Sequence, residues 1–175
     1  MKIAVTGRPG VGKTTLCLKI FNALKDVLNV KGFITVEVRE KGVRVGFKIK
    51  DLVDNDELWL AKVGEGKVKV GKYTVYVENI DRFAEKIRGY MDADLIILDE
   101  VGPMELKSQK FVDEVENLIR RDNLLFSIHL RAQHPLLNKI RREFKVITLT
   151  ESNRNIMAEK IINEILNNYN INCKL

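Results

Sequence analysis

Apolar positions recur along the chain with two periods, about two residues and about three and a half, and the two alternate. Lys2–Thr6 reads as a short strand. After a glycine-rich turn, Thr14–Leu28 carries Leu16, Ile20, Leu24, Val27 and Leu28 at helical spacing. Gly32–Arg39 alternates, with Ile34, Val36 and Val38 facing one way and Thr35, Glu37 and Arg39 the other. Val43–Lys50 repeats the pattern, and the intervening Lys41-Gly42 predicts a β-hairpin. Tyr73–Val77 reads as a further short strand. Beyond it, Ile80, Phe83, Ala84, Ile87 and Tyr90 mark a helix, and Leu95–Asp99 a strand. Ser108 is placed to cap a helix whose inner face is Phe111, Val112, Val115, Leu118 and Ile119. Leu124–His129 reads as a strand, Pro135–Glu143 as a helix and Lys145–Thr150 as a strand. The last helix, Asn153–Tyr169, is expected to bury Ile156, Met157, Ile161, Ile162, Ile165 and Leu166.

Such alternation predicts an α/β fold with a doubly wound, five-stranded, mainly parallel sheet, flanking helices and a β-hairpin insertion after the second strand. The parallel strands expected are Lys2–Thr6, Gly32–Val38, Leu95–Asp99, Leu124–His129 and Lys145–Thr150. The β-rich stretch from about 39 to 77 is too short to build its own core, so residues 1–175 are expected to form one domain. The polar run from Asn167 to Asn172 reads as a fraying tail.

Composition narrows the class. The chain is 45% hydrophobic and 31% charged, with 3 Pro and 11 Gly, which excludes a disordered or fibrous protein. Thirty Lys+Arg against 24 Asp+Glu leave a net charge of +6. That balance favours an anionic partner without saying whether it is a nucleotide, a nucleic acid or a membrane. Cys17 and Cys173 form no spaced set, so neither a disulfide framework nor a zinc site is expected, and the cytoplasm is the natural compartment. The first apolar run breaks at Gly7 and Arg8, too early for a signal-peptide core, and no uncharged stretch of ~18 residues follows. A soluble monomer with no membrane partner is expected.

Gly7-Arg8-Pro9-Gly10-Val11-Gly12-Lys13-Thr14 fits the phosphate-loop pattern G-x-x-x-x-G-K-[ST] without a mismatch, between a strand and an amphipathic helix. The chemistry needs these residue types. Glycines let backbone N–H groups turn inward around a phosphate, where side chains would block the approach. The helix that follows adds the positive end of its dipole. Lys13 would reach the β- and γ-phosphates, and the Thr14 hydroxyl would ligate Mg²⁺.

Leu95-Ile96-Ile97-Leu98-Asp99-Glu100 is an apolar run ending in two carboxylates, as a buried parallel strand reads at the end where open α/β sheets place ligands. Asp99 would hold the Mg²⁺. Glu100, one residue on, points differently in an extended chain and would orient or deprotonate the attacking water. A strand may also end in two solvated acids. The phosphate loop tips the reading towards chemistry, and the second acid suits a hydrolase better than a kinase.

Lesser candidates surround this pair. Arg8 lies inside the loop and is a candidate triphosphate contact, at a position that tolerates most residues. Ser127 and His129 end a strand that in many such ATPases lies beside the phosphate-loop strand, so His129 is a candidate γ-phosphate sensor or a satisfied surface group. Arg131 and His134 follow in a loop. Glu37, Arg39 and Arg44 read as the polar face of a hairpin, and Arg120-Arg121 and Arg141-Arg142 as solvated helix ends. Without interleaved aromatics, those basic pairs lend little support to nucleic-acid binding.

Taken together, Gly7–Thr15, Gly32–Phe47, Val70–Tyr73, Leu98–Leu106, His134–Leu136 and Leu149–Arg154 resemble the small nucleoside-triphosphatase family of thermophiles, whose animal members are called cancer-related nucleoside triphosphatases. The resemblance covers nearly the whole chain. It implies a P-loop fold of the additional-strand, catalytic-glutamate division. It also implies slow, Mg²⁺-dependent hydrolysis of ATP, GTP and other nucleoside triphosphates to diphosphate and phosphate. Gly7 to Thr14 would bind phosphate, with Thr15 beside them. Leu95, Ile96, Ile97, Leu98, Asp99, Glu100, Val101 and Gly102 would form the second nucleotide-contacting segment, with Glu100 as catalytic carboxylate. The segment around Arg131, Ala132 and Gln133 matches nothing in the family pattern and leaves a transition-state arginine unassigned.

The residues leave two alternatives. One is a nucleoside or small-molecule kinase whose insertion holds a second substrate. The other is a nucleotide-gated module binding RNA or DNA, ranked last because no RNA-recognition pattern occurs. A broad base preference is expected, since triphosphate contacts are visible and no base-reading motif is.

Overall fold

A computed structural model describes residues 1–170. Its strands are β1 (Lys2–Thr6), β2 (Val30–Glu40), β3 (Val43–Asp51), β4 (Glu57–Val63), β5 (Lys69–Val70), β6 (Tyr73–Val75), β7 (Leu95–Val101), β8 (Leu124–Ile128) and β9 (Lys145–Thr148). The helices are α1 (Lys13–Leu24), α2 (Val77–Arg88), α3 (Gln109–Leu118), α4 (Pro135–Glu143) and α5 (Arg154–Asn168), with a 3-10 turn at Glu105–Lys107. All nine strands join one sheet in the order β5-β6-β4-β3-β2-β7-β8-β1-β9.

The five expected parallel strands pair as β2-β7-β8-β1-β9. The five-strand count is corrected to nine, because the hairpin insertion extends the same sheet outward from β2. β3, β4, β6 and β5 add to β2 in antiparallel succession. β4 was not legible because Leu58-Trp59-Leu60-Ala61 is an unbroken apolar run. Opposite β3, Phe47 pairs with Ala61 and Lys48 with Trp59, so Leu60 is left over as a bulge and the alternation is lost.

The sheet buries two cores. Ile3, Val5, Leu95, Ile97 and Leu125 face α1 and α5 on one side. Ala4, Ile96, Leu98, Leu124 and Phe126 face α2, α3 and α4 on the other. Both faces of β1, β7 and β8 are covered, which is why each carries an unbroken apolar run, Ile3–Val5, Leu95–Leu98 and Leu124–Phe126.

Several boundaries move for identifiable reasons. Val77 belongs to α2, not to a strand, because it shares the helical stripe of Ile80, Phe83, Ala84 and Ile87. α1 stops at Leu24, which leaves Val27 44% exposed while Leu28 stays buried. In α5 the inward stripe is Ala158, Ile161, Ile162, Ile165 and Leu166, and Ile156 falls on the opposite side. Ser108 caps α3 as expected, accepting from the Phe111 amide at 3.1 Å. Cys173 and the far end of the polar tail lie outside the described residues. Among the described residues no helix is long and apolar enough to cross a membrane.

Candidate active site

The loop between β1 and α1 is tethered by a sheet strand on one side and, on the other, a helix whose inner face buries Leu16, Cys17, Ile20 and Leu24. Gly10 and Gly12 turn it with φ of 79° and 113°, values that side-chain-bearing residues rarely adopt. Gly12 is also the N-cap of α1, and no side chain caps this helix, so its first amides point into the loop. Arg8, Pro9 and Gly10 are exposed at the rim, while Val11 is buried beneath it.

β8 lies between β1 and β7, so the acidic strand end reaches the loop across one intervening strand. Leu98 pairs with Phe126 and Val101 with Ile128, so two residues of β7, Asp99 and Glu100, oppose the single residue Ser127. This bulge turns two consecutive carboxylates towards the start of α1. Thr14 donates from its hydroxyl to Asp99 Oδ2 at 2.6 Å, and Lys13 Nζ lies 3.1 Å from Glu100 Oε2. The candidate pairs of the two motifs are thus brought side by side.

Asp99 is 2% exposed and held on every side. Ser127 donates to Oδ1, and the Thr35 amide to Oδ2 at 3.3 Å. The Thr35 hydroxyl donates to the Asp99 carbonyl at 2.8 Å. Burial pushes the Asp99 carboxyl above its ordinary value, the bonds from Ser127 and Thr14 pull it down, and the charge of Glu100 pushes it up again. Glu105 adds a third acid. It is 3% exposed, and its Oε2 accepts from the Gly102 amide at 3.2 Å. Burial first, then the charge of Glu100, hold its carboxyl well above the usual range.

Leu95, Ile96, Ile97 and Leu98 are fully buried in the two cores, so the segment's exposed chemistry is confined to its C-terminal end. His129 Nδ1 accepts the amides of Arg131 and Ala132 at 3.1 and 2.9 Å, which ties that ring to its own turn. Ser127, two residues earlier, touches Asp99. Arg141 is not simply solvated: it donates to the carbonyls of His129 and Ala132 at 3.0 and 2.8 Å. Arg121 likewise clasps the carbonyls of Met91 and Ala93. Glu37 pairs with Arg39 and Arg44, consistent with a polar hairpin face. Cys17 is buried, and its thiol is raised by burial and then by the charge of Asp99.

Sequence reasoning gave no role to Thr35, Glu105 or Arg154. Thr35 reaches Asp99 only because Phe33 pairs with Leu98 two residues earlier in the β2–β7 register. Arg154, 143 residues from Val11, donates to its carbonyl at 3.2 Å. No local pattern announces either contact.

A family model described as NTPase matches residues 2–162. The nucleoside-triphosphatase THEP1 of Archaeoglobus fulgidus is 64% identical over 161 residues, 92% of this chain and 96% of that protein. Its counterpart from Methanocaldococcus jannaschii is 48% identical over 170 residues, 95% of this chain and 98% of that protein. The crystal structure of THEP1 from the hyperthermophile Aquifex aeolicus superposes with a TM-score of 0.83 at 36% identity, covering 94% of this chain and 99% of that one. The solution structure of a human cancer-related nucleoside triphosphatase gives a TM-score of 0.76 at 29% identity, covering 95% and 97%.

Proposed function

The chain belongs to the NTPase family and is a nucleoside-triphosphatase, and from that premise we propose that it cleaves the β–γ bond of ATP, GTP and other nucleoside triphosphates with Mg²⁺ and little base preference. The observation that carries the reading is the double contact between the two motifs, Thr14 to Asp99 and Lys13 to Glu100. It gathers a phosphate cradle, a metal-type oxygen pair and a second carboxylate, ion-paired with Lys13, into one place.

Each residue then has a chemical task. The loop amides and Lys13 offset the charge that grows on the phosphoryl oxygens. Thr14 and Asp99 supply two hard oxygens 2.6 Å apart, a donor set that suits Mg²⁺ completed by phosphate and water. When bound, the ion neutralises charge on the β- and γ-phosphates. Ser127 and the Thr35 amide hold Asp99 in its orientation. Glu100, 24% exposed at its side chain, keeps the access to solvent that a residue activating water requires.

The test is phosphate release by pure protein from ATP, GTP, CTP and UTP, with and without Mg²⁺ and with no acceptor added. Comparable release from all four, lost on chelation, is expected. Transfer of the γ-phosphoryl group to a small-molecule acceptor, with no free phosphate released, would make the protein a kinase instead.

A further inference from the structure

α1 carries a second apolar stripe besides the one it buries. Leu18 and Phe21 lie outside the inward set and are only half-buried. With Asn22 and Lys25 they recur at intervals of three and four, so all four share one side of the helix. That side forms one wall of a groove of about 570 Å³. Leu28, Val30, Ile34 and Leu52, all buried, make its floor, and Val53 and Asn55 in the turn after β3 close its far side. The groove lies where α1, packed over β2, gives way to β3, whose Lys50 pairs with Ile34 in the register. No residue of the phosphate loop or of the acidic strand end lines it. β2 runs between the two places: Val30 lines the groove at the start of the strand, whereas Thr35 meets Asp99 further along.

Its charge is one-sided. Glu57 stands opposite Lys50 in the β3–β4 register, yet the Glu57 carboxylate pairs with Lys48 at 3.1 Å, which leaves Lys50 without an acidic partner among the described residues. Lys25 likewise has none among them, and its ammonium lies 5.9 Å from the Phe21 ring centroid. The acid lining the groove, Asp51, is already engaged. Its Oδ1 accepts the amides of Val53 and Asp54 at 2.9 and 3.1 Å, and its Oδ2 accepts the Tyr90 hydroxyl at 2.6 Å and lies 3.5 Å from Lys86 Nζ. The groove thus offers apolar surface beside two uncompensated cations.

We propose that this groove is a second ligand site, for a small organic anion whose apolar body of one or two rings lies on Phe21, Leu28 and Ile34 and whose carboxylate-type headgroup meets Lys25 and Lys50. The volume falls within the ~300–1,000 Å³ of small-molecule sites, which pair an apolar lining with a few polar groups. Rings seated there take the half-exposed surface of Leu18 and Phe21 out of water, and an oxyanion between two ammonium groups gains charge-assisted hydrogen bonds. A bare inorganic anion would leave the apolar floor wet, and an uncharged ring would leave both cations unmatched. The proposal does not depend on the reaction at the phosphate loop.

Anilinonaphthalene sulfonate, an aromatic anion that fluoresces on leaving water, is the probe, titrated into the folded chain with and without saturating Mg²⁺-ATP. A single saturable event that Mg²⁺-ATP leaves unchanged is expected, with amide shifts in nuclear magnetic resonance spectra gathered at Asn22, Asn29, Lys50 and Val53. Lys25→Glu combined with Lys50→Glu is expected to weaken the probe at least about tenfold. Lys72→Glu combined with Lys160→Glu changes the net charge equally at exposed positions elsewhere and is expected to change affinity less than about twofold. Phe21→Ala is expected to weaken the probe roughly two- to tenfold. Lack of saturable binding by the folded parent overturns the proposal, and so does equal weakening by the two charge reversals. Unchanged affinity in Phe21→Ala, or shifts confined to another part of the chain, also overturns it. Displacement by Mg²⁺-ATP would put the probe at the phosphate loop, with the same consequence. Circular dichroism checks that each variant folds; for a charge reversal that does not, the shift map and the Mg²⁺-ATP competition on the parent decide.

Discussion

Gly102 is bare because Glu100 occupies the space beside it. A Cβ there would stand 2.2 Å from Glu100 Oε1 and 3.0 Å from its Cδ. The obstructing atoms belong to the end of a side chain, so Gly102→Ala displaces the carboxylate instead of breaking the backbone. A shift of about 1 Å in a catalytic group costs on the order of 10²-fold in rate. Gly102→Ala is therefore expected to lower kcat by about that factor, with KM and melting temperature little altered; steady-state kinetics and a melting curve check both. Glu100→Gln tests the neighbouring role. It is expected to bind ATP normally while kcat falls roughly 10²- to 10⁴-fold, as loss of a general base requires. Lys13→Ala should lose binding as well as turnover, since the role proposed for the ammonium is to contact phosphate before and during reaction. Parallel titration and phosphate-release assays separate the two patterns, and equal turnover by Glu100→Gln would remove its assigned role.

Among the elements, the β2–β7 pairing does most to assemble the site, since it brings Thr35 to Asp99 and joins the antiparallel insertion to the parallel strands. Gly32 makes that pairing close. A Cβ at this position would stand 1.8 Å from the Ile97 carbonyl oxygen, and its φ of 145° disfavours a side chain. Here the obstructing atoms are backbone in the middle of a sheet, so relief requires the two strands to separate. Gly32→Ala is expected to fail to fold or to melt many degrees lower, read by circular dichroism. Unchanged melting would mean that the strands can part without loss. The alternation that placed β1, β2, β7 and β8 was visible because β1, β7 and β8 each hold a run of three or more apolar residues and β2 alternates, while β9 was marked by the short Val146-Ile147 pair between two helical patterns. β4 and the short pair β5–β6 were not, because a bulge and two- or three-residue strands leave no period to detect.

At the scale of the whole molecule, two buried acids tie stability to pH. Burial, followed by the charge of Glu100, holds the Glu105 carboxyl well above its ordinary 4.5, and burial raises Asp99 above 3.8. The folded chain binds these protons more tightly than the unfolded chain does. Stability is therefore lost as pH rises from the ordinary values through the raised ones. Glu105→Gln keeps an acceptor for the Gly102 amide but cannot ionise. Its melting temperature is expected to gain on the parent as pH rises from about 5 to about 8; an offset that stays constant with pH would contradict the assignment. By itself the sequence determined the phosphate loop, the acidic strand end and the order of the parallel strands' elements, because each is written in neighbouring residues or in a short period. Only the tertiary structure decided that Thr14 meets Asp99, that Lys13 meets Glu100, that Thr35 and Ser127 hold Asp99, and that Arg154 closes on the loop. Those contacts join positions 28 to 143 residues apart. Their distances are set by strand order and register, which depend on how both faces of the sheet are covered and on no local pattern.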